Sequence, residues 1–451
     1  MAAGKKRYDM LTDHPGKALL FFAIPMIFGN LFQQLYNITD SVVVGQFVGE
    51  QALAAVGASY AITNVFIAIA IGGGNGSAVV VSQFLGAGKI AKMKTAVFTT
   101  LINFLVIGIC LGVFGIVFHE TILRLVNTPE DIFADAALYL AIYFVGLPFL
   151  FMYNVQASIF NSLGDSKTPL RLLIFSSLLN IVLDLVMVTT FQMGVAGVAI
   201  ATVIAQGISS VVSFVVLMRV LKPYAAEGKA RLFDPAMFVK GTKIAIPSII
   251  QQSIVSIGML LTQSAVNQFG SSALAGYSAG TRLESLCIVP MIATGNAMST
   301  FTAQNLGAKK EERVREGYRA AYLIVIAFGL LLIVISQLCY SPILSLFADQ
   351  GESPVAFQTG TAYFRFCGWF FAFLGFKAIT DGILRGAGDT KVYMAANLIN
   401  LAIRVSVARL ASPVFGIQVI WYAVPLGWFV NYMISYLWYR TGNWKRQRIV
   451  R

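Results

Sequence analysis

Charge is scarce in this chain. Of its 451 residues only 12% are Asp, Glu, Lys or Arg, with 20 acids against 33 bases, and two are His. An ordinary soluble domain carries about 25% charge, so a solvated globular surface is excluded. The two histidines, His14 and His119, fall at opposite ends of apolar segments, which rules out a shared metal site or a catalytic dyad. Four cysteines, Cys110, Cys287, Cys339 and Cys367, lie in or beside apolar segments without metal-type spacing, and read as packing residues rather than disulfides. The chain also lacks a nucleotide fingerprint, Asp-rich pyrophosphate motifs and any nucleophile with a neighbouring base. An enzyme or an ATP-driven pump is therefore disfavoured, and no organic cofactor is implied. The run Gly72-Gly73-Gly74-Asn75-Gly76 has neither a preceding strand nor a following Gly-Lys-Ser/Thr, so helix packing or a bend explains it better than phosphate binding.

What the chain does have is apolar surface, at 57% of residues. The apolar runs are of helix length rather than alternating ten-residue strands, so they read as membrane helices and not as a barrel. Twelve spans are expected near 17-44, 52-84, 95-118, 134-161, 170-191, 194-219, 242-266, 273-303, 319-347, 356-384, 391-411 and 415-439. The start, with Lys5, Lys6 and Arg7, resembles a signal peptide, but the following apolar run leads into Gln33, Gln34 and Asn37 without a cleavage motif and reads as the first retained span. With twelve spans, 27 of the 33 Lys and Arg lie in, or within two residues of, the termini and loops of one side, and the opposite side holds only Arg124 and, at a span edge, Arg409. The positive-inside rule then places both termini in the cytoplasm, and a bacterial inner membrane is the simplest host. The net charge of +13 is explained by this loop bias, with no nucleic-acid partner.

A polar, helix-breaking stretch in mid-chain, containing Pro223, Glu227, Gly228, Lys229, Arg231, Asp234 and Pro235, reads as a linker. The expected organisation is an N-terminal six-helix lobe over 1-220, a cytoplasmic linker over 221-241 and a C-terminal six-helix lobe over 242-451. An internal repeat supports it: Ala23-Ile24-Pro25 recurs as Ala245-Ile246-Pro247 at an offset of 222, Gly74-Asn75 as Gly295-Asn296 at 221, and Gly164-Asp165 as Gly388-Asp389 at 224. Six spans per half make the repeats parallel, an arrangement suited to alternating access.

Ionisable residues within spans are functional candidates by default. In the first half these are Asp40 in span one and Asp184 in span five, with no basic residue within a helical turn. Asp184 lies 8 residues before the outer turn at Gln192, and Thr202 lies 8 residues after Gly194 on the returning helix. Both therefore sit roughly 12 Å below the outer end. Asn180 shares a helix face with Asp184, while Tyr139, Tyr36 and Asn37 reach a similar level. A desolvated carboxylate pair with an amide, a hydroxyl and a phenol suits ion coupling, because mutual repulsion favours uptake of a proton and the same oxygens accept Na+. The alternative is that Asp40 caps a helix end and Asp184 bonds a neighbouring helix.

The second half carries both signs. Lys377 and Asp381 at i,i+4 read as a structural ion pair, and Asp381 with Arg385 repeats the spacing. Arg282 and Glu284 are two apart and need separate partners; Arg404 lies in span eleven. Gln34, Tyr36, Asn37, Asn154, Arg282 and Glu284 are taken as candidate substrate contacts.

The stretches Leu35-Tyr36-Asn37-Ile38-Thr39-Asp40, Ala52-Leu53-Ala54-Ala55, Gln83-Phe84-Leu85-Gly86-Ala87-Gly88 and Leu384-Arg385-Gly386-Ala387-Gly388-Asp389-Thr390 resemble the multidrug and toxic compound extrusion (MATE) family over nearly the whole chain. That resemblance implies an all-α integral membrane protein of twelve transmembrane helices, a V-shaped pair of six-helix lobes. It further implies an antiporter exporting amphipathic, often cationic organic compounds (xenobiotics) for H+ or Na+, with Asp40, Asn180, Asp184 and Thr202 as the first-lobe cation site and Tyr139 beside it. NorM-like members place carboxylates in spans seven and ten, where this chain has Gln251, Gln252 and Ser256, and Phe373, Leu374 and Lys377; with its Arg282-Leu283-Glu284 it is closer to the DinF-like branch. A flippase for lipid-linked saccharides is the alternative, but it calls for basic residues that the spans of the first lobe do not have. The protein is expected to act as a monomer in the lipid bilayer on small organic substrates.

Overall fold

The computed structural model describes residues 8–225, 228–345, 353–447 and 449–450; Lys5, Lys6, Arg7 and Glu227 lie outside the described residues. These contain helices and no strand. Six helices are long, apolar and followed by no sharp bend: α1 (Pro15–Phe47), α2 (Glu50–Gly86), α3 (Ile90–Leu125), α7 (Gly194–Leu221), α8 (Pro235–Asn267) and α11 (Glu311–Leu338). Two more, α6 (Lys167–Leu185) and α15 (Thr390–Ser406), run on into π-helical turns at Val186–Thr190 and Val407–Ala411.

Three expected spans are broken rather than continuous. α4 (Glu130–Val145) and α5 (Leu147–Ser162) meet at 54°, α9 (Ser271–Cys287) and α10 (Val289–Gly307) at 40°, and α13 (Pro354–Gly368) and α14 (Phe371–Ala387) at 53°. Pro148 and Pro290 each sit in the first turn of the second helix, where a missing N–H costs nothing but the preceding ladder cannot continue. Short α12 (Tyr340–Leu344) follows α11, and α16 (Ser412–Phe415) follows the second π-turn. The twelfth span is α17 (Gln418–Thr441), 24 residues long, whose many Trp and Tyr lower its hydropathy. Eight single spans, three bent pairs and α17 make twelve.

The chain forms two compact units. The N-terminal unit comprises Phe28–Leu85 and Lys89–Ile249, and the C-terminal unit Met1–Ile27, Gly86–Gly88 and Ile250–Arg451. α1 and α8 thus each pass from one unit to the other two residues beyond an internal proline, Pro25 and Pro247. The peptides leading into these helices explain the assignment. Ahead of α1, Arg313 donates to the carbonyls of Asp13 at 2.6 Å and Met10 at 3.2 Å, and Asn305 donates to Met10 at 3.0 Å. Ahead of α8, the backbone N–H groups of Arg231 and Asp234 donate to the hydroxyls of Thr95 and Thr99 on α3. α8 starts at Pro235, capped by Asp234 Oδ1, so residues 235–241 of the expected linker are already helix.

Glycines set the tightest contacts. In the N-terminal unit the run in α2 is a packing face: a Cβ on Gly72 would lie 2.8 Å from the Ile249 backbone of α8, and one on Gly76 2.6 Å from that of Ala245. Its Asn75 accepts a hydrogen bond from Ser158 of α5 at 3.1 Å. In the C-terminal unit α10 and α14 touch through Gly295, Gly382 and Gly386; a Cβ on Gly382 would fall on the carbonyl oxygen of Gly295. Small residues at crossings are what membrane helices need for close approach. Gly382→Ala is therefore expected to destabilise the protein by about 1–3 kcal/mol through overpacking. Gly57→Ala, at an exposed α2 position with nothing within 4 Å of a new Cβ, should not lower the melting temperature in detergent and gains only helix propensity, up to about 1 kcal/mol.

Candidate functional site

Within the N-terminal unit, three helices bring polar groups to one place. α1 carries Tyr36 and Asp40, and α6 carries Asn180 and Asp184, each pair at i,i+4 and hence on one face. α4 adds Tyr139 and Tyr143, whose rings stack at 6.1 Å. Asn180 and Asp184 are 3% and 1% exposed. The Tyr36 hydroxyl donates to Asn180 Oδ1, tying α1 to α6.

The carboxylates of Asp40 and Asp184 face one another, within the electrostatic reach of Tyr36 and Tyr139. Among the described residues no donor reaches Asp184 Oδ1, Asp184 Oδ2 or Asp40 Oδ1. Two acceptors in contact form a hydrogen bond only when one of them holds a proton, and otherwise require a cation between them. Asn180 Nδ2 is likewise buried without an acceptor, because the Asn180 carbonyl is the atom that Tyr36 engages. The cluster therefore presents carboxylate, amide and phenol oxygens and, among the described residues, no positive group of its own. The π-helical turn that begins two residues after Asp184 widens α6 at this point, a distortion frequent at functional sites.

Asp40, Asp184, Asn180, Tyr139 and Tyr36 thus come together as the sequence suggests. Thr202 stands apart: half-buried on α7, which packs against α6, it donates to its own helix at Val198 O over 3.0 Å and makes no hydrogen bond to the pair. Asn37 accepts from Gln33 at 3.1 Å, and Asn154 donates to Leu150 O at 2.9 Å within α5. Neither they nor half-buried Gln34 hydrogen-bonds to the carboxylates. Tyr143, which the sequence reading passed over, is buried beside Tyr139 and meets Phe144 edge-on at 6.5 Å. Its i,i+4 relation to Tyr139 was the available signal.

In the C-terminal unit Glu284 of α9 accepts from the Tyr363 hydroxyl of α13. Arg404 of α15 attracts Glu284 without closing an ion pair, and its Nε is buried with no acceptor. Arg282 is exposed and points away, in keeping with the two-residue spacing. Lys377 and Asp381 pair at 3.2 Å, and Asp381 also accepts from Asn397 at 3.2 Å and Ser435 at 2.8 Å, which makes it a structural node. The expected Asp381–Arg385 contact does not form; Arg385 instead donates to Asn296 at 2.6 Å and Ser299 at 3.2 Å on α10, the nearer acceptors across the glycine-lined crossing. Tyr363 and Arg404 stand 224 residues after Tyr139 and Asn180, the offset of the Gly-Asp repeat, so both were findable from the repeat.

The MatE family model matches residues 25–186 and 247–410. The chain is 31% identical over 448 residues to a Bacillus subtilis protein named a probable multidrug resistance protein, YpnP, covering 98% of this chain and 99% of that one. It is 28% identical over 449 residues to a second B. subtilis protein of the same description, YoeA, covering 96% and 95%. Among solved structures, the outward-facing conformation of a multidrug resistance MATE family transporter of the MOP superfamily superposes with a TM-score of 0.89 at 23% identity, covering 98% of both chains.

If the facing acceptors lack a donor, Asp184→Asn supplies one through its amide. Thermal melting at pH 8 without Na+ is expected to show the variant about 1–3 kcal/mol more stable than wild type. The gap should close as the medium is acidified, because a proton shared by the wild-type pair plays the same part.

Proposed function

The chain belongs to the MatE family, and from that premise we propose that it is a secondary active multidrug efflux antiporter, exporting amphipathic, often cationic organic compounds in exchange for H+ or Na+. The observation that carries this reading is the pair Asp40 and Asp184, two facing carboxylates of whose four oxygens three are buried with no donor among the described residues. Such a pair has a strong differential affinity for a monovalent cation between a state that holds the oxygens together and one that separates them. A gradient of that cation can bias a two-state equilibrium only through such a difference. Because Tyr36 is bonded to Asn180 across α1 and α6, drawing the two aspartates together also repacks these helices against each other.

In this reading Asn180 and Tyr139 complete the ion site, and Thr202 joins it on a small rotation of α7, since its hydroxyl oxygen keeps free lone pairs while donating to Val198. Gln34, Tyr36, Asn37, Asn154, Arg282 and Glu284 are the proposed substrate contacts. The transporter acts as a monomer of a bacterial inner membrane with both termini in the cytoplasm, as its basic loops require. It needs no resident cofactor and catalyses no covalent chemistry.

Dye efflux in inverted membrane vesicles, driven by separately imposed proton and sodium gradients, tests this function. Asp40→Asn and Asp184→Asn are each expected to reduce gradient-driven efflux to the level of vesicles without the protein. Thr202→Val should impair the Na+-driven component and spare a proton-driven one, because only a metal ion needs the extra oxygen ligand. Full efflux in both aspartate variants would overturn the assignment.

A further inference from the structure

The ends of α11 and α17, together with the 3-10 turn Asn443–Gln447, enclose a cavity of about 360 Å³ in the C-terminal unit. Four cations line it, Arg315, Arg319, Arg440 and Lys445, and none of its lining residues is acidic. Two of the four have acids elsewhere: Arg315 pairs with Glu312 at 3.0 Å and Lys445 with Glu311 at 3.0 Å. Arg319 and Arg440 have no carboxylate within ion-pair distance among the described residues. Arg440 instead donates to the Tyr436 hydroxyl at 3.2 Å, which orients its guanidinium along the wall.

The walls are aromatic. Tyr439 packs edge-on against Tyr318 at 4.6 Å and stacks on Trp444 at 5.6 Å. Hydroxyls continue inward in a chain, Tyr432 to Tyr322 at 2.6 Å, Tyr322 to Tyr318 at 2.9 Å, and Tyr318 to Thr380 at 2.6 Å. This chain fixes the rings. A rigid aromatic wall beneath a cationic rim, at the end of two membrane spans, matches a molecule with an anionic head and an apolar body. Guanidinium groups favour phosphate because their donors meet two oxygens at once, and Tyr and Trp are suited to the level of lipid headgroups.

We propose that this cavity is a binding site for an anionic phospholipid, with the phosphodiester held by Arg319 and Arg440 and the glycerol backbone against Tyr436 and Tyr439. Basic pockets between spanning helices on the cytoplasmic side are well placed for such headgroups. The orientation proposed above decides only which leaflet supplies the lipid; binding itself depends neither on it nor on ion coupling, so this site and the transport reading fail or succeed separately.

Binding of dioctanoyl phosphatidylglycerol to the purified full-length protein in nonionic detergent, followed by thermophoresis, tests the site. Saturable binding is expected for wild type. Arg319→Gln and Arg440→Gln should each weaken it about fivefold, and together about thirtyfold. Both side chains are exposed, so the single variants are expected to fold even if the double one does not. Dioctanoyl phosphatidylcholine and inorganic phosphate should not bind measurably. Equal affinity in wild type and both single variants, equal binding of the zwitterionic lipid, or equal binding of inorganic phosphate would each overturn the proposal, the last by reassigning the rim to a free anion.

Discussion

The hydrocarbon of a bilayer offers no hydrogen-bond partner, and most other features of this protein follow from that. Backbone groups have to be satisfied within each segment, so the apolar chain becomes helix almost throughout. Helices in such a medium gain nothing from hiding apolar surface from water, and their association rests on close packing. The glycines of α2 against α8, and of α10 against α14, meet that need with approaches that leave no room for a Cβ. At two of the three places where the helical ladder breaks, Gly146 and around Ile288, a proline opens the following helix and loses no bond by doing so; the third, before Phe371, has none.

The same constraint separates the buried acids into two kinds. Asp381 has a cation and two neutral donors, so its charge is answered on the spot and the group holds α14, α15 and α17 together. Asp184, about as deeply buried, faces another carboxylate and receives no donor. Removing charge from water is costly unless it is matched, and an arrangement that leaves it unmatched is a poor structural device. Read together, the two aspartates show that the chain can satisfy a buried acid and does not do so at Asp184. A purely structural role gives no reason for the second arrangement, whereas the proposed cation site would.

Much of this was legible in the sequence because its strongest signals are long-ranged. Span positions follow from apolar length, and the two isolated acids follow from the lack of any basic residue within a turn. Their convergence was readable too, since i,i+4 spacing and equal depth below a turn translate directly into space. The breaks in three spans were not, because a continuous apolar run reads the same whether it is straight or bent by 40° to 54°. Nor was the passage of α1 and α8 from one unit to the other: it depends on hydrogen bonds between segments some 300 and 135 residues apart, such as Asp13 with Arg313 and Asp234 with Thr99. Arg385 misled for a related reason. Spacing named a partner on its own helix, whereas a glycine crossing had brought a neighbouring helix closer.

The repeat adds one more step. Tyr139 and Asn180 correspond at an offset of 224 to Tyr363 and Arg404, and Asp184 to Ala408. The scaffold is therefore kept, with π-turns at Val186–Thr190 and Val407–Ala411 closing the equivalent helices. The charges are not kept. In the N-terminal unit no basic side chain among the described residues pairs with either aspartate, and in the proposed function an imported cation takes that place. In the C-terminal unit Glu284 has a hydroxyl donor in Tyr363 and a guanidinium nearby in Arg404, so that cluster carries an acid and a base. The change from the amide of Asn180 to the guanidinium of Arg404 at one repeat position would, in the proposed function, put a covalently attached cation where the first unit binds a mobile one. The proposed coupling site therefore lies in one unit of a protein whose two units share a backbone plan.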